Sequence, residues 1–216
     1  AVINDPDISA IYNPLPISEH LYWSIKALEA GKHVLCEKAI ACNTQQAEAM
    51  AQAAQKSGLV LMEAALYRFH PLFIEAKQIY HSGVLGKIKS LQATFNVKGP
   101  IAAQDIRMNY ATAGGVTMDI GYYPLSWLRH LTGEEPTVLS AQAETGPKHV
   151  DVWLQAQLAF SDGITAVASS DCRAGAQFSA EIIIQGSEGK MRVNNPLAPQ
   201  FGNSIELSLG AKTNKQ

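Results

Sequence analysis

Along the first part of the chain, apolar residues fall in short continuous runs separated by stretches of helical spacing. Residues 10–13 form an apolar run closed by Pro14-Leu15-Pro16, which predicts a strand followed by a breaker. Ser18 then offers a helix N-cap, Leu21, Ile25 and Leu28 recur at helical spacing, and Gly31 stops the pattern. Residues 33–36 predict a second strand, 44–56 an Ala- and Gln-rich helix ended by Ser57-Gly58, 59–63 a third strand, and 72–81 a third helix ended by Gly83. Continuously apolar strands alternating with helices over short connections build a parallel sheet covered on both faces.

After Gly86 the period changes. Residues 87–97 alternate as a half-buried strand, and a loop containing Gly114-Gly115 leads to one helical stretch at 124–131. Strand patterns follow at 137–144, 150–160, 164–171, 180–185 and 190–194, separated by turns such as Ser161-Asp162-Gly163 and Gly186-Ser187-Glu188-Gly189. Strands joined by tight turns without helices predict an antiparallel sheet. The expected domains are 1–86 and 87–216, with a ligand cleft between two lobes and a frayed polar tail at 212–216. Open parallel sheets bind ligands beyond the carboxyl ends of their strands. That rule selects the segments at 13–16, at 37–39 and at 63–68.

Composition narrows the function class. The 216 residues are 47% apolar and 17% charged, with a formal net charge of -2. This is core enough for one large or two small domains, and it excludes intrinsic disorder. A binder of nucleic acid or of an anionic membrane surface would show a basic excess, and there is none. No run approaches the roughly 20 apolar residues that span a bilayer. Cys36, Cys42 and Cys172 form no CxxC pair and read as reduced thiols, which fits the cytoplasm. Burial in an apolar run would raise the Cys36 thiol pKa and argues against a thiol enzyme. The six histidines lack ligand spacing, so no metal site is expected.

Lys38 lies just past a predicted buried strand, beside Glu37. There a lysine can hold a hydroxyl or carbonyl oxygen and favour its alkoxide-like form, but position alone is equally consistent with a surface lysine pairing with its neighbour. The second cluster runs from Gly114 to Tyr123. Paired glycines let a loop approach a ligand closely, and Asp119 and Tyr123, four apart, would share a face of a helical turn. A tyrosine beside a lysine can serve as general acid or base. The alternative makes Asp119 a helix cap and the tyrosines packing residues, and Pro124 supports it by starting regular helix there.

Several segments in order resemble one family: Asp5-Pro6-Asp7-Ile8; Asn13-Pro14-Leu15-Pro16 with His20 after it; Ala30-Gly31-Lys32-His33-Val34-Leu35-Cys36-Glu37-Lys38; and Gly114-Gly115 leading to Asp119-Ile120-Gly121-Tyr122-Tyr123. The resemblance is to the glucose-fructose oxidoreductase, inositol dehydrogenase and MocA (Gfo/Idh/MocA) family. Tyr67-Arg68-Phe69-His70-Pro71 and Tyr123 resemble its dihydrodiol and D-xylose dehydrogenase branch. The resemblance implies a dehydrogenase using NADP or NAD to oxidise a CH-OH group of a sugar, polyol or dihydrodiol. It implies that Lys38 contacts substrate and nicotinamide ribose, that Asp119 orients the sugar, and that Tyr123 is the acid/base. Pro14, His20 and Glu37, with Lys38, would line the nicotinamide end of the cofactor site; Arg68, Phe69 and His70 would shape the substrate pocket. Relatives also use the open sheet to form homo-oligomers.

Two departures from the family pattern stand out. Ala39 replaces the proline of the family's Glu-Lys-Pro motif, which leaves the turn carrying Lys38 less constrained. No glycine-rich GxGxxG turn and no ribose-reading residue are found. The expected fold class is therefore α/β, the second half of a Rossmann-like parallel sheet followed by an α+β domain with a large open, mostly antiparallel sheet. Together with a first residue that is not Met, this predicts roughly 60 to 80 residues upstream and a shortened C-terminus. It further predicts an unpaired edge beside residues 10–13, weak dinucleotide binding and an inactive fragment. The alternative function is a non-catalytic member that senses a dinucleotide or sugar.

Overall fold

The structure is a computed structural model that describes residues 2–210; the polar tail at 212–216 lies outside them. The chain divides into two compact units, and the first is discontinuous in sequence. It comprises residues 2–65, Ala102–Asp119 and Pro147–Val150. The second comprises Leu66–Ile101, Ile120–Gly146 and residues 151–210.

In the first unit, strands β1 (Ala10–Asn13), β2 (His33–Cys36) and β3 (Leu61–Glu63) form a parallel sheet in that order. Ala10 pairs with His33 and Val34 with Leu61. Helix α1 (Ile17–Glu29) buries Ala27 and Leu28, and α2 (Thr44–Ser57) buries Met50 and Ala54, in one core with Val34 and Cys36. The start of α2 is fixed by Asn43, whose side chain accepts from Gln46 N, and its end by Gly58 at a φ of 67°. Ser18 does not cap α1. The N-cap is Pro16, whose extended backbone (φ -55°, ψ 149°) already suits that position, and Ser18 falls inside the first turn.

The second unit is built on a seven-stranded sheet with β4 (Ile88–Asn96), β5 (Thr137–Thr145), β6 (Asp151–Ala159), β7 (Thr165–Asp171), β8 (Ser179–Gly186), β9 (Gly189–Asn194) and β10 (Ser204–Leu209). Their order is β10-β9-β8-β4-β7-β6-β5. All neighbours are antiparallel except β4 and β7, which run parallel from the Ser90–Thr165 pair to the Asn96–Asp171 pair. β4 reaches this central position because consecutive hairpins join β5 to β6 to β7 and β8 to β9 to β10, leaving the gap between β7 and β8 for it. β10 is an addition to the predicted strands. Its alternation of Ile205, Leu207 and Leu209 with Ser204, Glu206 and Ser208 is a readable period-two signal.

One face of this sheet is covered. Leu91, Ala93 and Phe95 of β4, Leu158 of β6, Ala168 of β7 and Ile182 and Ile184 of β8 are buried on it. Helix α5 (Tyr122–Thr132) packs across β4 and β7, with Trp127, Leu128 and Leu131 fully buried. It begins two residues before Pro124, which a helix tolerates within its first turn. Helix α3 (Pro71–His81) packs on α5 and buries Phe73 and Ala76. Residues 66–86, adjoining the parallel sheet in sequence, therefore pack with the second unit.

Candidate active site around Lys38 and Asp119

Glu37 and Lys38 follow β2 directly, at the carboxyl end of the parallel sheet, where such sheets bind ligands. Lys38 Nζ donates to Asp119 Oδ1 at 2.6 Å and to the Asp119 carbonyl oxygen at 2.8 Å. Both side chains are largely shielded, at 15% and 21% exposure, so this ion pair is less screened than a surface pair. Glu37 is also held, accepting from Tyr12 Oη at 2.6 Å and from Lys38 N at 3.2 Å. The hydrogen bond to this carboxylate holds the Tyr12 proton and raises the phenol above its ordinary pKa.

Ala39 lacks the ring of the family proline, yet the turn is fixed on several sides. Its peptide with Lys38 is cis. His20, fully buried, places Nδ1 3.0 Å from the Ala39 carbonyl oxygen and Nε2 2.8 Å from that of Leu15. It thus joins the Lys38 turn to the Pro14-Leu15-Pro16 turn from behind. Ile40 N donates to Glu63 Oε1 at 3.0 Å. The proline turn is fixed by buried Asn13, which accepts from Leu15 N at 3.3 Å and donates to Ser24 Oγ at 3.1 Å.

Asp119 ends the short helix α4 (Val116–Asp119), which follows a tightly closed loop. Asp105 accepts from Arg107 N at 2.9 Å, Gly115 N donates to the Arg107 carbonyl oxygen at 2.7 Å, and Gly114 N donates to that of Asn109 at 3.0 Å. The loop brings a residue that the sequence pattern does not single out. Arg107 Nε lies 3.2 Å from Asp119 Oδ2, and one terminal guanidinium nitrogen lies 3.1 Å from Asp105 Oδ2. The Asp119 carboxylate therefore sits between two cations, one on each oxygen.

Pro14, Glu37, Lys38, Arg107 and Asp119 share the lining of one cavity of about 180 Å³. Its lining joins prolines, an ammonium and carboxylates, which have the chemistry to receive a flat heteroaromatic ring and a hydroxylated carbon chain. Those residues fit the nicotinamide end of a dinucleotide. His20 stands behind this lining as a brace.

The other expected residues belong to the second unit. Tyr123 lies in the first turn of α5, its ring edge-on to Phe95 (centroids 5.3 Å) and 6.0 Å from that of Trp127. It does not share a helix with Asp119, because α4 ends before α5 begins. Arg68 and Phe69 occupy a 3-10 turn at Leu66–Phe69, and Phe69 is exposed. His70 caps α3 by accepting from Leu72 N at 3.2 Å. Among the described residues no group of three or more His, Cys, Asp or Glu side chains is clustered as metal ligands are. No helix there is long and apolar enough to cross a membrane.

Comparison with known proteins bears on the fold and the family. The chain is 33% identical over 195 residues to D-xylose 1-dehydrogenase (NADP(+)) 2 of Haloferax volcanii, a match covering 90% of the chain and 59% of that protein. It superposes on the aldose-aldose oxidoreductase of Caulobacter crescentus, solved with glycerol, with a TM-score of 0.88 at 32% identity, covering 97% of this chain and 63% of that one. A 3-ketoreductase of Actinomadura kijaniata in complex with NADP and TDP-benzene gives a TM-score of 0.86 at 28% identity, covering 96% and 67%. The chain thus spans about three-fifths of the length of the curated relatives it matches. Residues 1–65 match the oxidoreductase family with an NAD-binding Rossmann fold, and residues 73–192 match the GFO/IDH/MocA C-terminal domain. With both halves matched in their family order, the chain belongs to the Gfo/Idh/MocA family of NAD-binding oxidoreductases.

Proposed function

We propose that this chain carries the catalytic groups of an NAD(P)-dependent oxidoreductase that interconverts a hydroxyl and a carbonyl on a sugar, polyol or dihydrodiol. The observation that carries the reading is the shielded Lys38–Asp119 pair beside the proline turn at the end of the parallel sheet. The names of the relatives support it: a D-xylose dehydrogenase, an aldose-aldose oxidoreductase and a 3-ketoreductase.

Pro14 and Glu37 would hold the nicotinamide end, with His20 and Tyr12 bracing them from behind. The bound cofactor supplies the hydride acceptor. Lys38 holds the reacting oxygen and favours its alkoxide character, while Asp119 keeps the ammonium aimed and orients a neighbouring hydroxyl. Tyr123 takes the hydroxyl proton, the role implied by its place in the family pattern. Arg68, Phe69 and His70 are proposed to shape substrate selection.

The decisive experiment supplies the intact parent protein with NADP, then NAD, and a panel of aldoses, and follows the absorbance of reduced nicotinamide. Turnover that collapses in Tyr123→Phe, with cofactor affinity kept, supports the assignment; unchanged turnover removes Tyr123 from the mechanism. Cofactor binding with no turnover on any sugar would favour the sensing alternative. The open sheet is proposed as a self-association surface, supported by its edge strand β5, which is exposed along its whole length. A monomer in light scattering would refute that. The proposed compartment is the cytoplasm, in keeping with three cysteines that form no disulfide.

A further inference from the structure

We infer that Arg107 is a positioning residue for the proposed reaction: it takes one oxygen of Asp119 and thereby sets how tightly the other oxygen holds Lys38. This rests on the Lys38–Asp119 reading above. An isolated arginine at 53% exposure contributes little. Arg107 differs because both its backbone and its guanidinium are fixed. Its N–H donates to Asp105 Oδ1 at 2.9 Å and its carbonyl accepts from Gly115 N at 2.7 Å. The guanidinium lies between Asp105 Oδ2 at 3.1 Å and Asp119 Oδ2 at 3.2 Å.

The geometry makes the two cations competitors for one carboxylate. With Arg107 on Oδ2, the Asp119 carboxylate meets Lys38 through Oδ1, at 2.6 Å, beside the backbone carbonyl contact at 2.8 Å. Without it, Oδ2 loses its counter-charge and the whole carboxylate turns to the ammonium. The ammonium is then drawn toward Asp119, away from a substrate oxygen. Arg107 shares the cavity lining, but in this scheme it holds neither reacting atom and acts through Asp119.

That dependence is testable by a double-mutant cycle. Arg107→Ala should lower kcat about tenfold with little change in the KM for NADP, and Arg107→Lys, which keeps the charge without the fork, should recover part of the loss. In an Asp119→Ala background, Arg107→Ala should cost nothing further. Additive losses, or unchanged kcat in Arg107→Ala, would overturn the inference while leaving the oxidoreductase reading intact. A second readout does not need turnover. The rate at which acetic anhydride modifies Lys38, followed by peptide mass spectrometry, should fall several-fold in Arg107→Ala but not when Asp119→Ala is also present. An unchanged rate in Arg107→Ala would overturn the inference even if no sugar is turned over.

Discussion

Gly114 and Arg107 are in such close contact that a Cβ on Gly114 would lie 2.5 Å from the Arg107 carbonyl oxygen. The neighbour is backbone and is already engaged by Gly115 N, so it has little room to give. Gly114→Ala should therefore open the loop and destabilise the protein by about 1–3 kcal/mol, the usual range for forced overpacking. Urea denaturation measures the loss. Unaltered stability would mean that the loop can move without consequence.

Asp119→Asn keeps the shape of the carboxylate and removes its charge. Lys38 and Arg107, both within 3.2 Å of it now, would then face a neutral amide between them. The expected result is a stability loss of about 1–3 kcal/mol that shrinks in high salt, because screening weakens the repulsion between the two cations. A loss independent of salt would point to hydrogen bonding alone.

Asn13 fixes the proline turn from a site only 4% exposed. Asn13→Leu should leave Ser24 Oγ and Leu15 N short of their partners, at about 1–3 kcal/mol for the buried groups. NADP affinity should weaken as well if the turn holds the nicotinamide end. Calorimetric titration with NADP checks the second expectation separately from the first.

Cys36 is fully buried beneath the site, and desolvation is the main force raising its thiol pKa from 9.0 to about 11. A proton held more tightly in the folded than in the unfolded state stabilises the fold below pH 9, and that contribution is lost as pH rises toward 11. The full effect is on the order of 2–3 kcal/mol. Denaturation curves should show this alkaline decline, and Cys36→Ala should flatten it. At pH 8, iodoacetamide should label half-buried Cys42 before Cys36.

The parallel half of the fold is legible because its strands are continuous apolar runs and its helices carry Leu21, Ile25 and Leu28 or an Ala- and Gln-rich stretch ended by Ser57-Gly58. Lys38 and Asp119 stand out through motif order, and the geometry joins them across 81 positions. Arg107 does not stand out. It sits in a single 3-10 turn too short to show a period, and its placement is set by hydrogen bonds to Asp105 and Gly115 that composition does not encode. The parallel pairing of β4 with β7 is hidden for a similar reason, since each strand carries its own alternation but not the identity of its partner. The turn at Ala39 shows the converse: the loss of proline is visible in sequence, while the His20 contact that secures the turn is not.

The first unit is assembled from three separate stretches of chain, and this bears on inheritance and engineering. A crossover at residue 65, where the first family match ends, would look like the exchange of a whole module. It would keep Lys38 while replacing the loop that supplies Arg107 and Asp119. Chimaeras joined there inherit two halves of one ion-pair site from different parents, so the sequence between Ala102 and Asp119 must be transplanted together with the parallel sheet for the pair to survive.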